Sequence, residues 1–482
     1  MPEHTYVVVP VTVSGPTATA KRATHCQDFS AGYVQAMLLG LHLPLFNNYL
    51  RLEGYQTSAY STLLLLASVG GHLLPVQYRA TTVGGWLLAA ICLAAMALVP
   101  FPAPYCDARA VLCPRDLAQA SDLWPHYNVH APAHAAVYVV LSAVAVLGAS
   151  VGSPPPKTVA GYTQLGAIVA HGQTALLLNG AAYGGSFTFS VTPNALFGFC
   201  LGPAVVAIAS APPKPRGTHG GMWAALRQPG MARRIAEFFV FFACSGIEAT
   251  PQAPIAAAWA RVQPLSDAVA RGWGTVVTAT VAGLLGHFGR RTDWRRMLLV
   301  GSVLGVALDS VTVLRTVWPG LRDPWAFAGS RLAGAMRVGL QLAVAQWTAA
   351  DVDEVNADAV ASLLQVTAAV AGALGLTLGR LLEAPFAVMQ HDIGQDNSAA
   401  RWQVTYCYAV AYAGNLVGGL WLLVRPAAAS SERLNAPRTT AAVLVGAAAF
   451  SCASAILAVL PSTACSGLGG GPSSALTTQC AK

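Results

Sequence analysis

Apolar residues run in stretches of about twenty along most of the chain, separated by short polar or proline- and glycine-rich pieces. Such a stretch crosses a bilayer as a helix, because away from water only a helix satisfies every backbone N–H and C=O within itself. The pattern predicts spans over 29–50, 58–76, 83–101, 134–151, 161–179, 191–211, 235–258, 267–287, 297–316, 328–350, 358–381, 403–424 and 440–460. The stretch at 134–151 is short and stops at Ser153-Pro154-Pro155-Pro156, where proline cannot continue a helix. An all-α, polytopic membrane protein follows.

Composition agrees with the pattern. Of 482 residues, 55% are hydrophobic and only 10% charged, with a mean hydropathy of +0.52. A soluble domain carries roughly 25% charged residues, and a soluble chain this apolar could not cover its own surface. A soluble enzyme, a disordered chain and a coiled coil are excluded. The net charge of +8 is spread too thinly for the basic tract that nucleic acid requires. The lipid bilayer is the expected environment, in the plasma membrane or, alternatively, in an organelle membrane.

Charge also orients the spans. With the N-terminus inside, most Lys and Arg fall on inner segments, Arg290, Arg291, Arg295 and Arg296 among them. Arg271, Arg322, Arg380 and Arg401 fall on outer segments or their flanks, and Arg331 and Arg337 within a span. The bias favours an inner N-terminus. Residues 1–28 have no basic start, and Pro10 breaks their one apolar run, so they are expected to form a cytoplasmic tail. Trp86, Trp259, Trp273, Trp294, Trp318, Trp325 and Trp402 lie near span ends, as an interfacial belt would place them.

The longest inner connection, 212–234, contains PPKPRGTHGG and separates a six-span segment at 29–211 from another at 235–424. Residues 425–482 then supply an inner loop, an extra span and a tail. Two pseudo-symmetric bundles joined by such a link are the organisation of many secondary transporters. The ten cysteines are too sparse for a disulfide scaffold. Cys106 and Cys113 share one loop, and Cys465 and Cys480 share the tail; each pair is either a local disulfide or two free thiols. There is no CxxC, HExxH, Walker or dinucleotide motif and no N-x-[ST] acceptor, so neither a cofactor, a metal nor ATP drive is expected. Nothing resembles a nucleophile with its base, and no enzymatic activity is expected.

Several runs carry a resemblance. In the first half they are LHLPLFNNYLRLEGYQ (Leu41 to Gln56), YNVHAPAHAAVY (Tyr127 to Tyr138), AGYTQ (Ala160 to Gln164) and AAYGGSFTFSVTPN (Ala181 to Asn194). In the second they are MWAALRQPGMARRIAEFFVFF (Met222 to Phe242), APIAAAWARVQPLSDAV (Ala253 to Val269), TDWRRMLL (Thr292 to Leu299) and LPSTACSGLGGG (Leu460 to Gly471). In order and spacing the chain resembles the divergent protist-type folate/biopterin transporters, a branch of the major facilitator superfamily. The resemblance implies uptake of folate or pterin by alternating access, a twelve-helix core of two six-helix bundles and an extra C-terminal span. Departures cluster at the first half's inner gate. Where the family carries an acid and a cluster of arginines, the stretch Leu73 to Trp86 keeps only Arg79 and Trp86, SPPPKTV replaces an acidic stretch, and Ala160 stands where the family has arginine. In the matching second-half region Asp351 and Asp358 occupy the family's acidic positions and are gate candidates. The lost charges favour a rival reading, a transport-inactive scaffold or solute sensor derived from the family.

A charge inside a span costs roughly 2.5–3.5 kcal/mol at the helix centre, which marks such residues as functional candidates. Glu248 lies mid-way along the seventh predicted span, with Gln252 four residues on and Pro251 and Pro254 freeing carbonyls nearby. It is either a proton-coupling or ring-binding acid or a structural acid bonded to a neighbouring helix. Glu237, beside Arg233 and Arg234, reads as one partner of a surface ion pair. Arg337 and Gln341 form an i, i+4 pair; the guanidinium suits a substrate carboxylate, or a permanent pair with Asp309 or Glu248. Among polar residues of the first half, His42, Asn47, Gln164 and His171 could bond the edges of a pterin, or could simply join helices.

Overall fold

The computed structural model describes residues 18–73, 76–77, 79–105, 128, 130–153, 161–177, 191–211, 216–217, 220–228, 230–288, 293–352, 357–386, 388–424, 436–460, 463 and 468–471. Each apolar stretch is helical, two of them with an interruption. The first half comprises α1 (Ala18–Gly40), α2 (Gly54–Ser68), α3 (Arg79–Leu98), α4 (Ala131–Gly152), α5 (Gly161–Leu177) and α6 (Pro193–Ala209). A short helix, α7 (Gly220–Leu226), leads to the second half: α8 (Met231–Ser245), α9 (Gln252–Ala258), α10 (Pro264–Phe288), α11 (Trp294–Val317), α12 (Pro324–Val352), α13 (Ala357–Glu383), α14 (Gln390–Gln395) and α15 (Ser398–Val424). The extra helix is α16 (Ala436–Val459). Two dipeptides, β1 (Val76–Gln77) and β2 (Arg216–Gly217), pair antiparallel. Eight described helices are long and apolar enough to cross a membrane, and Pro193–Ala209 is a shorter apolar one. The architecture is two six-helix bundles with an additional C-terminal helix.

Two spans depart from a plain helix. The first continues from α1 into a π-helix, His42–Tyr49, in which Phe46 N–H bonds Leu41 C=O at 3.3 Å and Leu50 N–H bonds Leu45 C=O at 2.9 Å. Pro44 has no N–H to give to the regular ladder, and the wider winding follows. The seventh span, expected as one helix over 235–258, is broken between α8 and α9. Gly246 ends α8, and Pro251 caps α9.

Within the first bundle α1 packs on α5, and α3 on α4 and α6; within the second, α12 packs on α10 and α11, and α8 on α13 and α15. The halves meet through α5 on α10 and α2 on α13. Their ends predicted to face outside are also tied by Gln390, which donates from Nε2 to Asn47 Oδ1 at 3.1 Å and to the Leu52 carbonyl at 2.5 Å, and from its backbone N–H to Glu53 Oε2 at 2.9 Å. The extra helix α16 lies along the seam, against both α2 and α13.

Burial corrects three expectations. Glu237 is not at the surface: it is buried, with Arg233 at 3.1 Å and Arg295 at 2.9 Å rather than Arg234 as its partners. Arg380 is fully buried, not on an outer flank, bonding Thr62 of α2 at 2.7 Å and Ser454 of α16 at 3.3 Å. Trp86 and Trp259 are buried rather than interfacial, and Trp259 Nε1 donates to the Ile393 carbonyl at 2.8 Å. Cys26, Cys92, Cys200, Cys244, Cys407 and Cys452 are free thiols. The pairs Cys106 and Cys113, and Cys465 and Cys480, lie outside the described residues.

Candidate functional site

The break between α8 and α9 sets the site. Glu248 sits on the unwound stretch, and α13 approaches it closely because its facing positions are glycines: a Cβ on Gly375 would stand 2.4 Å from the Ala243 carbonyl oxygen, and one on Gly379 2.9 Å from that of Glu248. In lipid, small residues permit such contact between backbones. On its other side the break opens into a cavity of about 660 Å³, open mouth included, walled by the break, α11, α12 and α15. Its polar lining is Glu248, Gln252, Asp309, Ser330, Arg331, Arg337, Tyr408, Tyr412 and Asn415.

The partners inside the cavity differ from those expected. Tyr412 Oη donates to Asp309 Oδ2 at 2.8 Å. Arg337 donates from Nη1 to Asn415 Oδ1, and its Nε is buried without a hydrogen-bond partner. Asn415 is itself held by Nδ2 donating to the Ala411 carbonyl at 2.9 Å. Neither Glu248 nor Asp309 stands within ion-pair distance of Arg337, so the permanent pair, one of the two alternatives the sequence left open, does not form. Arg337, Arg331 and Asp309 are the charges that act on Glu248. The cavity therefore offers acids and guanidinium groups that are not locked to one another.

Of the residues singled out in the sequence, Glu248, Gln252, Asp309 and Arg337 come together here. Gln341, one turn beyond Arg337, does not line the cavity, and neither do His42, Asn47, Gln164 and His171 of the first half. Asn47 is instead bound by Gln390, and the His42 ring stacks on Tyr60 with centroids 6.4 Å apart. His171 is buried where α5 meets α10, and its Nδ1 lacks a hydrogen-bond partner. Asp351 ends α12 and Asp358 begins α13; their side chains lie outside the description.

Sequence reasoning missed Arg331, Tyr408, Tyr412 and Asn415. The last three fall at i, i+4 and i+7, a polar stripe on one face of an otherwise apolar helix, and that spacing could have found them. Also missed was a buried group beside the cavity, in which Asp267 takes Arg271 Nε at 2.8 Å and Arg331 Nη2 at 2.9 Å. Among the described residues no three or more His, Cys, Asp or Glu side chains gather as a metal site would need.

No protein-family model matches the chain. No curated protein matches it either. Solved structures do match. The chain is similar to a D-xylose–proton symporter (12% identity, TM-score 0.51, covering 84% of this chain and 97% of that one). It is similar also to the nucleoside transporter NupG (11%, 0.52, 84% and 98%) and to the POT family transporter PepTSo (10%, 0.52, 84% and 98%). The fold is that of the major facilitator transporters, and it is carried here with one further helix.

Proposed function

We propose that the protein is a secondary transporter that moves a small polar aromatic solute, a folate or pterin, by alternating access with the proton as coupling ion. The observation that carries this reading is the broken seventh span, which presents Glu248 to a cavity shared with Arg337. Broken helices at mid-membrane are a recurrent way to build transporter sites, because freed backbone groups and a side chain together can bind solute or ion. Gln252, Asn415, Tyr408 and Tyr412 supply donors and acceptors for the edges of a heterocycle, and Arg337 supplies a planar fork for a carboxylate. Glu248 is the coupling acid, taking a proton when the cavity opens to one side and releasing it to the other as Arg337 moves relative to it. Asp351 and Asp358 are gate residues on the strength of the resemblance alone. The membrane we assign is the plasma membrane, with an organelle membrane as the alternative.

The test is uptake of labelled folate and biopterin by vesicles bearing the chain. Glu248→Gln should abolish pH-driven accumulation yet leave counterflow exchange. Unchanged pH-driven uptake by folded Glu248→Gln protein would sink the coupling role. A second reading, a transport-inactive scaffold or solute sensor, draws on α16, which lies across the α2–α13 seam where rocking of the halves would act. It expects ligand to raise the thermal stability of the protein with no uptake of any solute.

A further inference from the structure

Arg331 belongs to two neighbourhoods. It lines the cavity, six residues before Arg337 on α12, and it also reaches Asp267 on α10. Asp267 is buried and shared by two guanidinium groups, but it does not hold them equally. The Arg271 contact is a hydrogen bond to Oδ2. The Arg331 contact, at 2.9 Å, is misaligned and leaves Oδ1 without a hydrogen bond. Arg331 is also the more accessible of the two cations, 22% exposed against 12%.

Two cations on one acid leave a positive charge in excess, and that asymmetry decides which cation can move. If Arg331 turned away, Asp267 would keep Arg271 four residues along the same helix, so no buried carboxylate would be stranded; a stranded charge is what makes breaking a buried pair costly. Arg331 donates to no other group among the described residues, which leaves its fork free to grip a carboxylate or phosphate by two parallel bonds. The other titratable groups acting on this cluster are His42 from the π-helix, Tyr60 from α2, His171 from α5, Glu248 from the break and Tyr408 from α15.

We propose that Arg331 is a two-position residue, held by Asp267 while the cavity is empty and taken by an anionic group of the solute when it is filled. The site then selects solutes that carry a carboxylate or phosphate, and it reports their arrival to α10, the helix that packs against α5 of the first half. The proposal rests on the transporter reading and narrows it: folate, which bears carboxylates, is a ligand of this switch, and neutral biopterin is not.

The experiment measures binding of folate, p-aminobenzoylglutamate, inorganic phosphate and biopterin to the purified full chain in lipid nanodiscs. Asp267→Asn frees Arg331 and should tighten binding of the anionic probes about tenfold while leaving biopterin unchanged. Arg331→Gln should weaken the same probes about tenfold, with Arg331→Lys between it and the parent. Should Asp267→Asn fail to fold, the Arg331 variants carry the test alone. Equal affinity for anions in folded Arg331→Gln, or no anion bound at millimolar concentration, overturns the switch. Biopterin uptake without anion binding would overturn it and leave the transporter standing. Anion binding with the expected changes, but no uptake of any labelled solute, would overturn the transporter and leave the switch.

Discussion

In the first half α3 and α4 meet through glycine: a Cβ on Gly85 would stand 2.6 Å from the Gly152 nitrogen, and one on Gly148 2.6 Å from the Gly85 carbonyl oxygen. In the second half α10 and α12 also approach through glycine, a Cβ on Gly339 standing 2.7 Å from the Thr278 carbonyl oxygen, but they add the charged group of Asp267, Arg271 and Arg331. The contrast extends through both bundles. The core around Phe46, Tyr60, Trp86 and Phe197 is apolar and aromatic, whereas the fully buried charged side chains among the described residues, Glu237, Asp267, Arg380 and Glu383, all belong to the second half. Lipid tails are as apolar as leucine, so helices there associate by close packing or by polar contacts. Close packing offers one arrangement. Polar contacts can be exchanged for others, and a moving site needs that property. The first half reads as a support and the second as the half that does chemistry.

The harshest way to break this contrast is Asp267→Leu. Two part-buried guanidinium groups would lose their carboxylate, at a cost of up to about 3–5 kcal/mol, that of a fully buried pair. Most of the folded protein should disappear from fluorescence-detected size exclusion; an unchanged peak would mean the second half is held by packing alone. In the first half the matching test is Gly85→Val, where overpacking costs typically 1–3 kcal/mol. Gly84→Val should be far milder, since a Cβ there meets nothing within 4 Å. Equal melting temperatures for the two valine variants would remove the argument from close approach.

The contact between the halves can be probed at Arg380. Ser454→Ala deletes one of its hydroxyl partners on α16, which should lower stability by about 1 kcal/mol and make the α16 segment easier to cleave by protease. Resistance equal to the parent would mean α16 is held without this bond.

The smallest effect is set by pH at the rim of the second half, where Arg322 bonds Asp396 at 2.5 and 2.8 Å and Arg401 adds a third contact at 3.1 Å. The Arg322 hydrogen bonds, with Arg401, hold the Asp396 carboxyl below the usual range. A depressed value means that its stabilisation is present above the unfolded carboxylate range near pH ~4 and is lost as pH falls through the lower folded value. Partial exposure keeps it to about 1 kcal/mol or less. Asp396→Asn should therefore lower the melting temperature slightly at neutral pH and not at all in strong acid, and a loss equal at both would remove the ionic origin.

The run of spans was written in the sequence because hydropathy is local: about twenty apolar residues demand a helix wherever they stand. The extra C-terminal helix and the prolines beside Glu248 could be seen in the same way. Which residues share a cavity could not. A membrane helix is apolar on the faces it turns to lipid and on those it turns to its neighbours, so hydropathy does not give its rotation about its own axis. Gln341 and Arg337 look equivalent along the chain, yet only Arg337 lines the cavity. Arg271 and Arg380 looked like flanking charges, yet the packing of α13 buries Arg380 and that of α10 leaves Arg271 only 12% exposed. Asp267 and Arg331 are 64 positions apart and become partners only when α10 and α12 lie side by side. The sequence by itself determined which stretches become membrane helices; the tertiary structure alone decided where the seventh is broken and which side chains face one another, because that depends on the rotation and contacts of helices distant along the chain.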